Sequence, residues 1–268
     1  MAILTGSFQS KELIRKVSFT AIIPTTTRSI YEPENAESDN KDEPLKTVYL
    51  LHGWDGNHED WLHNTRIAEL AIKYHIAIFM PDGQNSFYVD QPNGDHFGKF
   101  IGEEFVHETR KLFHLSDKRE DTTIGGLSMG GYGALRNGFY YPKTFGNILA
   151  FSSKIFTKRS SSDIVFDQPI SRRYQTLIKG ETTAALPDDM DIEELAVKVF
   201  ESKEGNPRLY LSCGTEDSLI DEQRSFHRFL REHDYAHECI EAPGVHNWDY
   251  WNTSIEQGLE WLYGNAEK

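Results

Sequence analysis

Short, nearly continuous apolar runs alternate along this chain with longer stretches of helical spacing. Residues 47–51, 76–81, 147–151 and 208–213 are the apolar runs, each bounded by turn residues. Runs of that length and flanking predict strands buried on both faces. Residues 238–242 predict one more strand, and residues 2–8 and 16–24 predict two opening strands paired as an antiparallel hairpin. Between the strands, residues 61–74 place Leu62, Ile67, Leu70, Ala71 and Tyr74 at helical spacing and predict one helix. Residues 100–115, with Phe105, Leu112 and Phe113, predict a second helix; 219–233 and 248–263 predict two more. Strand–helix alternation of this kind predicts an α/β fold with a mostly parallel central sheet and helices on both faces. Right-handed crossovers then bring the strand C-terminal ends to one edge, where sites form.

Two stretches break the alternation. Residues 32–44 are acidic and polar, with Pro33 and Pro44, and predict a mobile surface loop, because too little chain precedes them for a separate core. Residues 154–203 are polar, with Ser160-Ser161-Ser162 and an acidic 188–194 segment. Their place between core strands predicts an insertion over the sheet edge, either a plain surface excursion or a cap shaping a substrate pocket. The 268 residues suit one domain spanning 1–268.

Charge and composition narrow the partners. A formal charge of −14 argues against nucleic acid or an anionic membrane, since both repel an acidic surface. No apolar run reaches the ~20 residues of a membrane-spanning helix. The first 17 residues carry Lys11, Glu12, Arg15 and Lys16 without a signal-peptide core, which predicts a cytoplasmic protein. Cys213 and Cys239 both fall in predicted strands and read as buried thiols rather than a disulfide.

Candidate chemistry centres on Gly126-Leu127-Ser128-Met129-Gly130, with a predicted strand before it and a predicted helix after it. Strand, tight turn, Ser and helix make a nucleophile elbow. The turn is strained, so the residues two positions either side of Ser128 must be small, and both are Gly. The turn lifts the hydroxyl clear of the sheet and opens a helix N-terminus beneath it, where free N–H groups suit a developing oxyanion.

A Ser nucleophile needs a base, and the base needs an orienting acid. After an elbow the chain order is Ser, acid, His. Asp217 lies 89 residues beyond Ser128, directly after the strand predicted at 208–213; Glu216 and Asp221 are its near neighbours. Glu216 is one residue out of phase, and Asp221 falls in a predicted helix. His246 lies 29 residues beyond Asp217, between the last predicted strand and helix. The expected catalytic set is therefore Ser128, Asp217 and His246. The expected oxyanion hole pairs the backbone N–H of Met129 with that of Trp54, from the loop Leu50-Leu51-His52-Gly53-Trp54. His52 there is expected to brace the loop and not to act as base. Trp54, Phe87, Tyr88, Trp248, Tyr250 and Trp251 cluster near these motifs. Trp54, Tyr88 and Trp248 are expected to contact substrate, and Trp251 to belong to the core. His52, His58 and His63 near Asp55, Glu59 and Asp60 show no metal-ligand spacing, so no metal and no cofactor is expected.

His52-Gly53-Trp54 with Asn57-His58 and Trp61, then residues 81–88 (PDGQNSFY), then the elbow, then His246-Asn247-Trp248-Asp249-Tyr250-Trp251 occur in that order. The chain in this respect resembles the esterase D branch of the α/β-hydrolases. That branch includes tributyrin-type and cinnamoyl-type esterases, S-formylglutathione hydrolases and mycolyltransferases. The resemblance runs over nearly the whole chain, is closest to the small tributyrin and acetyl esterases, and is weakest over 154–203. It implies an α/β-hydrolase fold and a metal-independent serine carboxylesterase acting on a small-molecule ester with a short acyl group, acetyl or butyryl, with phenolic-acid esters in view. A thioesterase of the S-formylglutathione hydrolase kind is the main alternative. Acyl transfer on the same site is another, and a non-catalytic binding protein on a hydrolase scaffold is a remote one. Whether the chain forms a homo-oligomer is left open.

Overall fold

The computed structural model describes residues 1–25, 43–91, 94–159, 186–202 and 205–264. Eight strands form one sheet: β1 (Ala2–Ser10), β2 (Arg15–Ile23), β3 (Lys46–Leu51), β4 (Ile76–Pro81), β5 (Thr122–Leu127), β6 (Asn147–Phe151), β7 (Arg208–Gly214) and β8 (Glu238–Ala242). Their spatial order is β1-β2-β4-β3-β5-β6-β7-β8. The β1–β2 hairpin is antiparallel and β2 joins β4 antiparallel; every pairing from β4 to β8 is parallel.

The side-chain period of two divides each central strand between two cores. In β3, Val48 and Leu50 face one layer, Tyr49 and Leu51 the other. In β4, Ile76, Ile78 and Met80 oppose Ala77 and Phe79 in the same way. One face is covered by α1 (Asp60–Asn64), α2 (Ile67–Lys73) and the final helix α8 (Trp248–Tyr263) through Trp61, Ile67, Leu70, Ile255 and Leu259. The other is covered by α3 (Phe97–Lys99), α4 (Phe105–Leu112), α5 (Met129–Tyr140), α6 (Ile192–Ser202) and α7 (Ile220–Glu232). Helices on both faces of a mostly parallel open sheet are the arrangement that the alternation predicts.

Two helices depart from expectation. The stretch 61–74 is not one helix, because Thr65 is extended between α1 and α2. Its hydroxyl donates to the Trp61 carbonyl at 2.5 Å and accepts the Ile67 N–H at 3.2 Å, while Asn252 of α8 accepts the Arg66 N–H. The side chain thus ends one helix and starts the next. The helix expected over 100–115 begins earlier, at Phe97, passes through a π-helical turn at Phe100–Glu104 and ends at Leu112. Glu104, on that turn, accepts the Lys11 N–H and the Ser10 hydroxyl of the β1–β2 turn. Most of the acidic loop expected over 32–44, and residues 160–185 of the expected insertion, lie outside the described residues.

Candidate active site

Ser128 sits at φ 55°, ψ −115°, between β5 and α5. A non-Gly residue at positive φ is strained, and here its neighbours hold it. The Ser128 N–H donates to the Phe151 carbonyl at 2.9 Å, and the Ser128 carbonyl accepts from Tyr132 N–H at 3.1 Å and Lys154 N–H at 3.2 Å. The two elbow glycines are sterically required. A Cβ on Gly126 would lie 2.3 Å from the Gly130 carbonyl oxygen, and one on Gly130 would lie 2.3 Å from that of Leu51.

The parallel strands put their C-terminal loops on the same edge, and two of those loops meet Ser128. His246 Nε2 lies 3.0 Å from Ser128 Oγ. Its Nδ1 lies 2.8 Å from Asp217 Oδ2 and 3.1 Å from Oδ1, so Nδ1–H donates to the carboxylate and Nε2 is free to accept the Ser128 proton. Asp217 follows β7 and is 2% exposed; Leu219 N–H donates to it at 2.9 Å. Burial works to raise the Asp217 pKa, but the bonds from His246 and the Leu219 backbone outweigh it and hold the carboxyl below its ordinary value. His246 precedes α8, whose first turn is capped by Asn247 Oδ1 accepting Tyr250 N–H at 3.1 Å. Ser128, Asp217 and His246, expected from chain order, are thus brought together. Asp221 lies on the exposed face of α7, beside Arg224.

Two residues have supporting contacts beyond those expected: Glu216, out of phase for the acid, and Trp251, buried in the core as expected. Glu216 accepts the Gly244 N–H at 2.7 Å and the Thr215 hydroxyl at 2.8 Å. The Gly244 bond holds its carboxyl below the usual range. Glu216 therefore ties the Asp217 loop to the His246 loop. Trp251 sets its ring at 90° to His246, centroids 4.9 Å apart, and lies edge-to-face with Trp248. Its position one helical turn beyond the cap Asn247, which follows His246, is the available signal.

The loop after β3 lies against the elbow. A Cβ on Gly53 would meet Leu127 at 2.7 Å and Ser128 Cβ at 3.7 Å. His52 is buried, as a brace would be. Trp54 is half-buried and packs on Phe87 at 5.6 Å; Trp248 is half-buried against Trp61 at 5.5 Å. Tyr88 requires a correction. It is fully buried, donates its hydroxyl to the His52 carbonyl at 2.9 Å and has its ring against Gly133 of α5. Packed beneath the loop, it braces His52 and offers no edge to a substrate. Among the described residues no three His, Cys, Asp or Glu side chains converge on a point that suits a metal ion. His58 instead pairs with the Thr20 hydroxyl at 2.8 Å.

The Esterase family model matches residues 24–262, most of the chain and all of the loops just described. The chain belongs to the Esterase family. This esterase is 40% identical over 266 residues to an acetyl esterase of Caldicellulosiruptor saccharolyticus, with 98% of each chain covered. Among solved structures it is similar to the serine hydrolase FphF of Staphylococcus aureus, with TM-score 0.84, 25% identity and 98% of both chains covered. It is also similar to the S-formylglutathione hydrolase FrmB of the same organism, with TM-score 0.79, 25% identity and the same coverage. The esterase is thus a serine ester hydrolase with the α/β-hydrolase fold, and no described helix is long and apolar enough to cross a membrane.

Proposed function

We propose that the esterase cleaves short-chain acyl esters, acetyl esters foremost, through a Ser128–His246–Asp217 triad. The observation that carries this reading is the unbroken hydrogen-bonded line from Ser128 Oγ through His246 to Asp217. Ser128 Oγ attacks the ester carbonyl carbon while His246 Nε2 takes its proton. The carbonyl oxygen becomes an oxyanion facing the N–H groups of Met129 and Trp54. The tetrahedral intermediate collapses, the C–O bond to the alcohol breaks, and His246 returns the proton to the leaving oxygen. Water then enters by the same route in reverse roles and frees the acid. Asp217 holds the imidazole with Nδ1 protonated and balances the imidazolium that forms. Trp54 and Trp248 line the approach to Ser128. No step calls for a metal, so a chelator is expected to leave turnover unchanged.

Similarity to the acetyl esterase, 40% identical, supports a small acyl group. Similarity to FrmB supports a second reading, thioester cleavage of S-formylglutathione by the same groups. The deciding experiment is a substrate panel of acetyl, butyryl, octanoyl and feruloyl esters beside S-formylglutathione, run with wild type and Ser128→Ala. Acetyl or butyryl esters are expected to give the highest kcat/KM. Ser128→Ala is expected to lose several orders of magnitude of turnover with its fold kept. A folded Ser128→Ala protein with near wild-type turnover would show that the nucleophile lies elsewhere.

A further inference from the structure

His52 is 1% exposed, one residue from the peptide that faces the elbow. Both of its ring nitrogens are engaged, and their partners leave one protonation pattern. Nε2 lies 2.9 Å from the Gly83 N–H, which has only a proton to offer, so Nε2 accepts. Nδ1 lies 2.7 Å from the Gly53 carbonyl oxygen, which has only lone pairs to offer, so Nδ1 carries the proton and donates. The Gly53 oxygen also receives the Gly56 N–H at 3.2 Å, and the His52 carbonyl receives the Tyr88 hydroxyl at 2.9 Å.

The Gly53 carbonyl and the Trp54 N–H belong to one planar trans peptide, and in such a peptide the two bonds point in opposite directions. Whatever fixes the oxygen therefore aims the N–H. On the reading that the site is a serine carboxylesterase, we propose that His52 is a positioning residue for the oxyanion hole: as the neutral, Nδ1-protonated tautomer it holds the Gly53 oxygen on its own side and turns the Trp54 N–H toward the carbonyl oxygen of the bound ester. The same contacts make the neutral form obligatory. A proton on Nε2 would face the Gly83 N–H, donor against donor. Burial lowers the His52 pKa, with His58 acting in the same direction, and outweighs the Gly53 carbonyl, Asp82 (Oδ1 3.9 Å from Nε2) and Asp60, which favour the cation.

The test separates aiming from mere packing. His52→Leu removes both ring contacts; His52→Asn keeps an N–H donor near the Nδ1 position. Both are assayed with p-nitrophenyl acetate and with a trifluoromethyl ketone, whose adduct on Ser128 carries an oxyanion. For His52→Leu we expect kcat to fall roughly 100-fold, the scale of a misplaced catalytic group or a lost oxyanion donor. The affinity for the ketone should fall in parallel, with KM moving less than about 3-fold. His52→Asn should recover most of both losses. A folded His52→Leu protein within about 3-fold of wild-type kcat, or one whose kcat falls while ketone affinity holds, overturns the proposal. Should His52→Leu fail to fold, Trp54→Pro is compared with Trp54→Ala, since both lose the indole and only Pro loses the N–H. Equal kcat for the two overturns the proposal, and a much lower value for Pro supports it. Ser128→Ala in the same assay keeps the two readings apart, because its retained turnover would reject the triad whatever His52 does.

Discussion

Asp217 is a carboxylate pulled in opposite directions, by burial toward the neutral form and by its donors toward the charged one. The donors win, and the sign of the consequence follows. A carboxyl whose folded pKa is below its unfolded value, about 3.9 for Asp, adds stability that is complete above that value and is lost as pH falls through the lower folded pKa. The stability difference between wild type and Asp217→Asn is therefore expected to shift against wild type as pH drops below about 4, measured as the gap between their urea midpoints along a pH series. On activity the same variant should lose about 10²–10⁴ in kcat, because an amide supports the wrong imidazole tautomer and leaves the imidazolium unbalanced. Asp221→Asn is the control, exposed on α7 and expected to stay near wild type. A crippled Asp221→Asn beside an active Asp217→Asn would move the acid to Asp221. Tyr88 shows where reading single residues ends. An aromatic beside a site motif looks the same in sequence whether it faces substrate or core. Its burial was decided by partners far along the chain, the His52 carbonyl and the helix after Ser128.

The elements that were legible share a feature. Residues 76–81, 147–151, 238–242 and 248–263 are observed at the bounds that their apolar patterns predict, since each is closed by its own flanking turn residues. The interruption at Thr65 was not legible, because helical spacing runs straight through it and the break is stabilised by Asn252 from α8. Order and address likewise brought Ser128, Asp217 and His246 into view, whereas Glu216 acts between two loops and no local pattern marks that. Two expectations follow for these elements. Gly130→Ala should collapse the elbow, since its methyl group would enter the Leu51 and His52 carbonyls. Thermal unfolding and turnover should both show the loss, with destabilisation of about 1–3 kcal/mol or more. Glu216→Ala should leave the fold and KM nearly unchanged and lower kcat several-fold, because it removes the side-chain bond to Gly244 and leaves only the backbone bonds between the two loops. Unaltered kcat would reduce Glu216 to a surface residue.

At the scale of the whole molecule, α5 does more than follow the Ser128 elbow. Arg136 on that helix is completely buried. It donates to the Asp189 carbonyl at 3.0 Å, the Asp189 carboxylate at 3.1 Å and Asn137 Oδ1 at 2.9 Å, and it stacks on Tyr140. Tyr132 donates to the Met190 carbonyl at 2.8 Å. The chain that leaves the sheet after β6 is thus clamped, on its return, to the helix bearing Ser128. Arg136→Met should cost about 2–4 kcal/mol in urea unfolding, since it removes buried charge-assisted bonds and orphans their acceptors. A cost below about 1 kcal/mol would mean the clamp carries no load. The sheet, its two covered faces and the site edge were legible from the alternation of runs. This clamp was not, because a lone Arg in a helical segment reads as exposed until its partner, 53 positions away, is known.

The long reach of the site also has a meaning in time. Ser128 and His246 are 118 positions apart, with β7 and β8 lying between them in the chain. On the proposed triad, a chain emerging in order forms the Ser128 turn well before His246 exists, so the growing protein is expected to stay inert until β8 and the loop after it are in place. Contacts of such sequence separation form late and slowly. In refolding from urea, ester turnover should therefore return with the slowest phase, after the helical circular dichroism signal, making hydrolysis a clock for completion of the fold.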